Sequence, residues 1–249
     1  MKKPLVGITC HNKLNEEDWF KGYEINYLGV SETQSIIKAG GVPLMLPQTN
    51  NEAIIDAYLE NIDGLVVIGG EDVNPAYYHE DVSSLSGPIN DVRDEFEALL
   101  IKSAVNKKIP LFLICRGLQF FNVLYQGSLW QDLKLIPHNK LNIPHQGWNL
   151  SYKNIHRLNV VDKDSYFYNI IKNDYLYVNS LHHQTINKLS PLLKIVAQSD
   201  DGVIEVVESN IQDHFIIGFQ YHPEISSYYY HDDNTRLFDY FINYLKEIA

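Results

Sequence analysis

The chain is sparing with cysteine, methionine and tryptophan, which contribute two, two and three of its 249 residues. The two cysteines, Cys10 and Cys115, form no pairing framework, which excludes a disulfide scaffold and makes the reducing cytoplasm the expected compartment. Long apolar runs are also missing. The stretch after Met1-Lys2-Lys3 is broken at His11-Asn12, too early for a signal sequence, and no window approaches the roughly 18 apolar residues of a membrane span. Positive charge is scarce: 20 Lys+Arg against 31 Asp+Glu give a net charge of −11, which repels phosphate backbones and anionic lipid. Neither nucleic acid nor membrane is an expected partner. Repeats, low-complexity tracts and Gly/Ser linkers are absent from the sequence, so residues 1–249 are read as one domain. A chain this long buries roughly 75% of its unfolded surface, so its core requires no metal or disulfide.

What is present is alternation. Short runs rich in Val, Ile and Leu occur at Leu5–Thr9, Val42–Leu46, Leu65–Ile68 and Leu111–Ile114, separated by stretches long enough for helices. This is the βαβ signature of a parallel sheet covered on both faces. Tyr27, Val30, Gln34 and Ile37 recur at helical spacing ahead of Gly40-Gly41, a glycine helix stop. A second helix is expected from about Asp91 to Asn106. A third is expected after Asp232-Asp233-Asn234, with Leu237, Phe238, Phe241, Ile242, Leu245 and Ile248 on one face. Strands are expected at Arg157–Val161, Tyr175–Val178, Leu193–Ala197, Val203–Val207 and Phe215–Gln220, with a hairpin turn at Asp200-Asp201-Gly202. The sum is an α/β fold with a mainly parallel central sheet and an antiparallel flank.

The segment from Pro110 to Tyr125 runs an apolar strand into Cys115, places Gly117 two residues later, and begins a helical pattern at once. Such a strand-to-helix turn presents its apex side chain above the sheet, where helix N–H groups and the macrodipole favour a thiolate. A nucleophile needs a base, and Phe215–Glu224 offers one: a strand delivers His222, which Pro223 holds in extended geometry, so that Glu224 projects to the same side and orients the imidazole. Gly69-Gly70 at the end of another strand lets backbone N–H groups approach a ligand and complete an oxyanion hole.

Together, Gly69–Tyr77, Arg93-Asp94-Glu95-Phe96-Glu97, Cys115–Gln119 with Asn122-Val123, Gln131-Asp132-Leu133, Asn179–Gln184 and Gln220–Glu224 resemble the class I glutamine amidotransferase-like hydrolases. Within that superfamily they look most like the gamma-glutamyl-gamma-aminobutyrate hydrolase family, peptidase family C26. The resemblance implies a three-layer, flavodoxin-like domain and a cysteine hydrolase acting on a gamma-glutamyl amide, with Cys115, His222 and Glu224 as triad. It also implies backbone oxyanion donors at Arg116 and at Gly70, with Gly69 as the other option, and puts Gln119, Ser180, His182 and His183 at the glutamyl head group. Water then releases glutamate from a thioester, and no cofactor is expected. Tyr221 stands where Trp is commoner, and Gln126 where a glycine usually precedes Gly127. The rival readings are a glutaminase subunit passing ammonia to a synthetase and a catalytically silent binding protein on the same scaffold. The text Cys115-Arg116-Gly117 leans toward the hydrolase branch. The leaving amine and the oligomeric state, a homodimer included, stay open.

Two local features complete the reading. Leu133–Val161 carries Lys134, Lys140, Lys153 and Arg157 with no acidic residue, either a solvated face or a rim attracting an anionic substrate. The Tyr-rich stretch Ser226–His231 is read as a loop lining the leaving-group side. His182-His183 is not expected to bind metal, because neighbours on a strand point to opposite faces and no ligand-spaced cluster accompanies them.

Overall fold

The structure, a computed structural model, describes every residue except 1, 17, 138–142, 147–154, 231–232 and 249. The strands of its N-terminal part are β1 (Leu5–Ile8), β2 (His11–Leu14), β3 (Glu24–Tyr27), β4 (Val42–Met45), β5 (Gly64–Val67), β6 (Leu111–Ile114) and β7 (Ser128–Trp130). The remainder are β8 (His156–Val160), β9 (Tyr175–Val178), β10 (Thr185–Lys188), β11 (Leu193–Ser199), β12 (Ile204–Ser209) and β13 (Ile216–Phe219). The helices are α1 (Val30–Lys38), α2 (Glu52–Glu60), α3 (Asp91–Asn106), α4 (Arg116–Leu124), α5 (Tyr166–Ile171), α6 (Pro223–Tyr230) and α7 (Thr235–Ile248).

One sheet dominates, in the order β4-β1-β5-β6-β13-β12-β11-β8-β9. The run from β4 to β13 is parallel, and from β12 onward each strand is antiparallel to its neighbour. The parallel strands read as continuous apolar runs because both of their faces are covered. In β6, Leu111 and Leu113 enter one core with Leu118 and Phe121 of α4, while Phe112 and Ile114 enter the other with Phe238 and Phe241 of α7. Period-two alternation thus splits the apolar residues between two cores, one on each side of the sheet, giving three layers. Helix α7 buries the expected face, Leu237, Phe238, Phe241, Ile242 and Leu245, but leaves Ile248 exposed.

Caps set several helix starts: Asn51 accepts from the N–H groups of Ala53 and Ile54, and Asn90 from that of Arg93. Gly202 turns β11 into β12 with φ +87°, as the Asp-Asp-Gly signal predicts. Three expectations need correction. Residues 11–14 and 24–27 form an antiparallel pair in a separate two-stranded sheet, which half-polar, largely exposed sequence did not announce. Residues 223–230 form helix α6, so the Tyr-rich stretch from Ser226 is helical, and His231 lies outside the described residues. Pro223 is therefore the first residue of a helix, a position where its missing N–H is harmless, and not the end of an extended run. Among the described residues no helix is long and apolar enough to cross a membrane.

Candidate active site

The carboxyl edge of the parallel strands carries the chemistry. Cys115 follows β6 directly and is the N-cap of α4, with φ 49° and ψ −105°. A non-glycine residue in this region is strained, and two contacts hold it there: the Cys115 N–H donates to the Phe219 carbonyl at 2.6 Å, and the Cys115 carbonyl accepts from Gln119 at 3.1 Å. Gly117 is required because any Cβ would run into the Val67 carbonyl, and its absence seats α4 directly on β5. The thiol is 6% exposed, at the floor of a cavity of about 270 Å³.

His222 hydrogen-bonds to Cys115 and to Glu224. Its Nδ1 lies 2.7 Å from Glu224 Oε1, so the pairing expected from the sequence is present, built by the first turn of α6 in place of an extended chain. Although burial works against the charged ring, Glu224 and then Cys115 hold the His222 pKa well above the ordinary histidine value. The His222 backbone is fixed by Asn179, whose side-chain oxygen accepts from the His222 N–H at 2.9 Å while its amide donates to the His222 carbonyl at 2.7 Å. Gln220 adds a donor 3.6 Å from the Cys115 sulfur.

The glycine pair lies over both reacting groups. A Cβ on Gly69 would stand 2.8 Å from the His222 ring and 3.5 Å from Cys115 Cβ, and Gly70 has φ +148°. Arg93, fully buried, donates to the carbonyls of Ile68 at 3.1 Å and Gly69 at 2.8 Å. Since N–H and C=O oppose each other across a trans peptide, this clamp turns the N–H groups of Gly69 and Gly70 away from Arg93, and Gly70 lines the cavity. Arg93 also pairs with Glu97 at 2.9 Å and Glu71 at 2.7 Å. The Arg116 side chain leaves the site altogether and pairs with Asp94 and Glu97 in the buried space between α3 and α4, so only its backbone faces the nucleophile turn. The sequence motifs contain Arg93, Asn179 and Gln220 without announcing these tasks; the i,i+4 spacing of Arg93 and Glu97 is the available signal for their pairing.

The head-group candidates separate. Gln119 lines the cavity with both amide hydrogens committed, to Gln184 O and Gln220 Oε1 at 3.1 Å each, so it presents a carbonyl oxygen. His183 also lines the cavity, but its ring is held between Asp72 at 2.8 Å and Asp132 at 3.1 Å, which raise its pKa. It braces the wall. His182 contributes to the lining while its ring turns back toward His145, His156 and Glu205. Ser180 stands behind the wall, its hydroxyl donating to the His145 carbonyl at 3.0 Å. Of the basic stretch, Lys140 and Lys153 lie outside the described residues, and Lys134 sits in a short 3₁₀ turn capped by Asp132.

Comparisons with known proteins agree with this geometry. The Peptidase C26 family matches over residues 4–224. "Protein NtpR" of Enterococcus hirae is 35% identical over 243 residues, covering 96% of this chain and 98% of that protein. "Gamma-glutamyl-gamma-aminobutyrate hydrolase PuuD" of Escherichia coli K12 is 32% identical over 234 residues, covering 91% and 88%. Among solved structures, a putative GMP synthase glutamine-amidotransferase-type subunit from Thermoplasma acidophilum superposes with a TM-score of 0.62 at 18% identity, covering 100% of this chain and 98% of that one. That likeness establishes the glutamine amidotransferase-type α/β fold.

Proposed function

The chain belongs to the peptidase C26 family, and within it we propose a cysteine hydrolase that cleaves a gamma-glutamyl amide to glutamate and a free amine. The observation that carries this reading is Cys115 on a strained strand-to-helix turn, hydrogen-bonded to a histidine that Glu224 orients at 2.7 Å, at the floor of a cavity. The relative PuuD, named for gamma-glutamyl-gamma-aminobutyrate, supports the bond class.

The cycle follows from the groups present. His222 takes the thiol proton and Cys115 Sγ attacks the gamma carbonyl. The oxyanion is received by backbone N–H groups, those of Gly70 and Arg116 in this reading, each such donor typically worth about 10²–10³ in rate. Collapse expels the amine with the proton held by His222, leaving a thioester. Water, deprotonated by His222, then releases glutamate and restores the thiol. Glu224 keeps the second ring nitrogen protonated and offsets the imidazolium charge throughout. The carbonyl oxygen of Gln119 is suited to accept from the substrate's α-ammonium.

The test is a panel of gamma-glutamyl amines and glutamine scored for free glutamate, with Cys115→Ala as blank. Release from at least one gamma-glutamyl amine, lost in the blank, is expected. Turnover that survives Cys115→Ala, or its absence from the whole panel, overturns the reading; glutamine as the sole substrate points to the glutaminase alternative.

A further inference from the structure

Behind the cavity wall lies a second histidine–carboxylate assembly that the proposed cycle does not use. His145 comes from the described segment 143–146, His156 from the start of β8, His182 from the turn after β9, and Glu205 from β12. All four are buried, with exposures of 3%, 4%, 3% and 0%. Glu205 Oε1 lies 3.0 Å from His156 Nε2, 3.6 Å from His145 Nδ1 and 3.8 Å from His182 Nε2. The ligand atoms of His145, His156 and Glu205 all fall within 4.8 Å of one another.

The hydrogen count of this cluster does not close. His145 Nε2 is 3.1 Å from the Asp201 carboxylate, which only accepts, so the proton of a neutral ring belongs there. Burial, reinforced by the neighbouring histidines, lowers the His145 pKa to about 4, so the ring is neutral near pH 7. His182 Nδ1 likewise faces the Gln184 carbonyl at 3.0 Å. The inner nitrogens, His145 Nδ1 and His182 Nε2, then turn lone pairs toward a carboxylate that itself has only lone pairs. The Ser180 hydroxyl lies 3.3 Å from His145 Nδ1 but donates to the His145 carbonyl. Both Glu205 oxygens, both His156 nitrogens and His182 Nε2 lack a well-directed hydrogen bond. Acceptors converging on a buried point without donors call for a cation.

We propose that His145 Nδ1, His156 Nε2, His182 Nε2 and a Glu205 oxygen bind a divalent first-row transition ion of the zinc type. Bonds of about 2.0–2.1 Å in a tetrahedron set neighbouring ligand atoms about 3.3–3.4 Å apart, and the three nitrogen–oxygen separations to Glu205 straddle that edge. Imidazole and carboxylate suit zinc. The outer nitrogens of His145 and His182 are anchored by a carboxylate and a carbonyl, the arrangement that orients metal-bound histidines. Glu205 and Asp201 together balance a 2+ charge. Four protein ligands leave no open position, so the ion is structural, tying β8, β12 and the 143–146 segment to the stretch whose Leu181, His182, His183 and Gln184 line the cavity. The expectation against metal rested on His182-His183 alone, and the two rings do diverge; the partners of His182 come from three other segments.

The experiment uses Cys115→Ala protein, which removes the thiol as a competing ligand. After chelator stripping, Zn²⁺ is titrated against a chromophoric chelator and the loaded protein is examined by X-ray absorption. One zinc per chain, a Tm raised by several degrees, and a first shell of nitrogen and oxygen with imidazole scattering are expected. Glu205→Gln and His156→Gln are each expected to weaken binding roughly 100-fold or more, and Asp201→Asn by about 10–100-fold. Absence of binding at micromolar zinc overturns the proposal, as does unchanged affinity in folded Glu205→Gln protein. If the ligand variants fail to fold, the X-ray spectrum of the parent decides: a shell without several imidazoles overturns it.

Discussion

Cys10 and Cys115 are both buried at the carboxyl edge of the same parallel sheet, two strands apart, yet their surroundings differ in every respect that governs thiol chemistry. Cys10 follows β1 in ordinary backbone, and its sulfur donates to the Leu46 carbonyl at 3.3 Å. Burial pushes its pKa up to about 11, Arg93 only partly opposing that. Cys115 sits at positive φ on a helix N-terminus, with His222 as hydrogen-bond partner and Gln220 as donor, and opens on the cavity. Burial alone therefore makes an inert thiol; reactivity needs a base, a helix N-terminus and access.

The sharpest way to break this contrast is to exchange each sulfur for hydrogen. Cys115→Ala is expected to lower glutamate release by roughly 10⁴-fold or more. Cys10→Ala is expected to keep the rate near wild type and cost about 1 kcal/mol of stability, the usual scale for one lost buried group. Rate assays with urea unfolding check both, and a large rate loss in Cys10→Ala would erase the distinction. Next in size is Glu224→Gln. It retains the shape of the pair but removes the charge that holds His222 as imidazolium, so kcat/KM should fall by about 10²–10⁴. A group whose folded pKa is raised keeps its proton until pH climbs through that value, so losing the partner moves its deprotonation, and the alkaline limb of the rate profile, to lower pH. A limb that stays in place would mean that Glu224 acts only through packing.

Much of this contrast was legible in the sequence. The apolar run Leu111–Ile114 marked a strand buried on both faces, and Cys115 with Gly117 marked the elbow, because both are local signals. His222 and Glu224 were paired correctly for the wrong reason: Pro223 fits an extended run and a first helical turn equally well, and packing of α6 against α1 and α7 selects the latter. The tasks of Arg93 and Arg116 were not legible, since Arg-x-x-x-Glu looks the same on a solvated helix face as in a buried network. Nor was the cluster around Glu205, whose two histidines from the acid-free stretch meet their carboxylate only through the pairing of β8 with β11 and of β11 with β12.

A smaller effect is expected at Gly70, which tests whether Cys115 depends on the glycine turn for catalysis or for reactivity. An alanine there is strained at φ +148° and meets the Arg93 guanidinium, so the turn must shift. Hydrolysis should drop by about 10²–10³, the range for one lost oxyanion donor, while iodoacetamide still labels Cys115 and spares Cys10. Loss of labelling together with hydrolysis would tie the turn to the thiol itself.

The smallest expected effect concerns Glu71, whose partner Arg93 reaches both cysteine sites: it clamps Ile68 and Gly69 beside Cys115 and acts electrostatically on Cys10. Burial pushes the Glu71 carboxyl up, but hydrogen bonding to His11 and the Arg93 charge hold it well below the usual carboxylate range. A carboxyl depressed in the fold binds fewer protons there than in the unfolded chain, so its contribution is fully present above the unfolded pKa of about 4.3 and is lost as pH falls below it. With a quarter of the side chain exposed (24%), solvent screening limits that contribution to about 1 kcal/mol. Urea midpoints of wild type and Glu71→Gln should therefore differ at pH 7 and converge near pH 3.5. A gap that persists into acid would assign the contribution of Glu71 to shape, leaving Arg93 to hold the glycine turn through Glu97 and the two carbonyls alone.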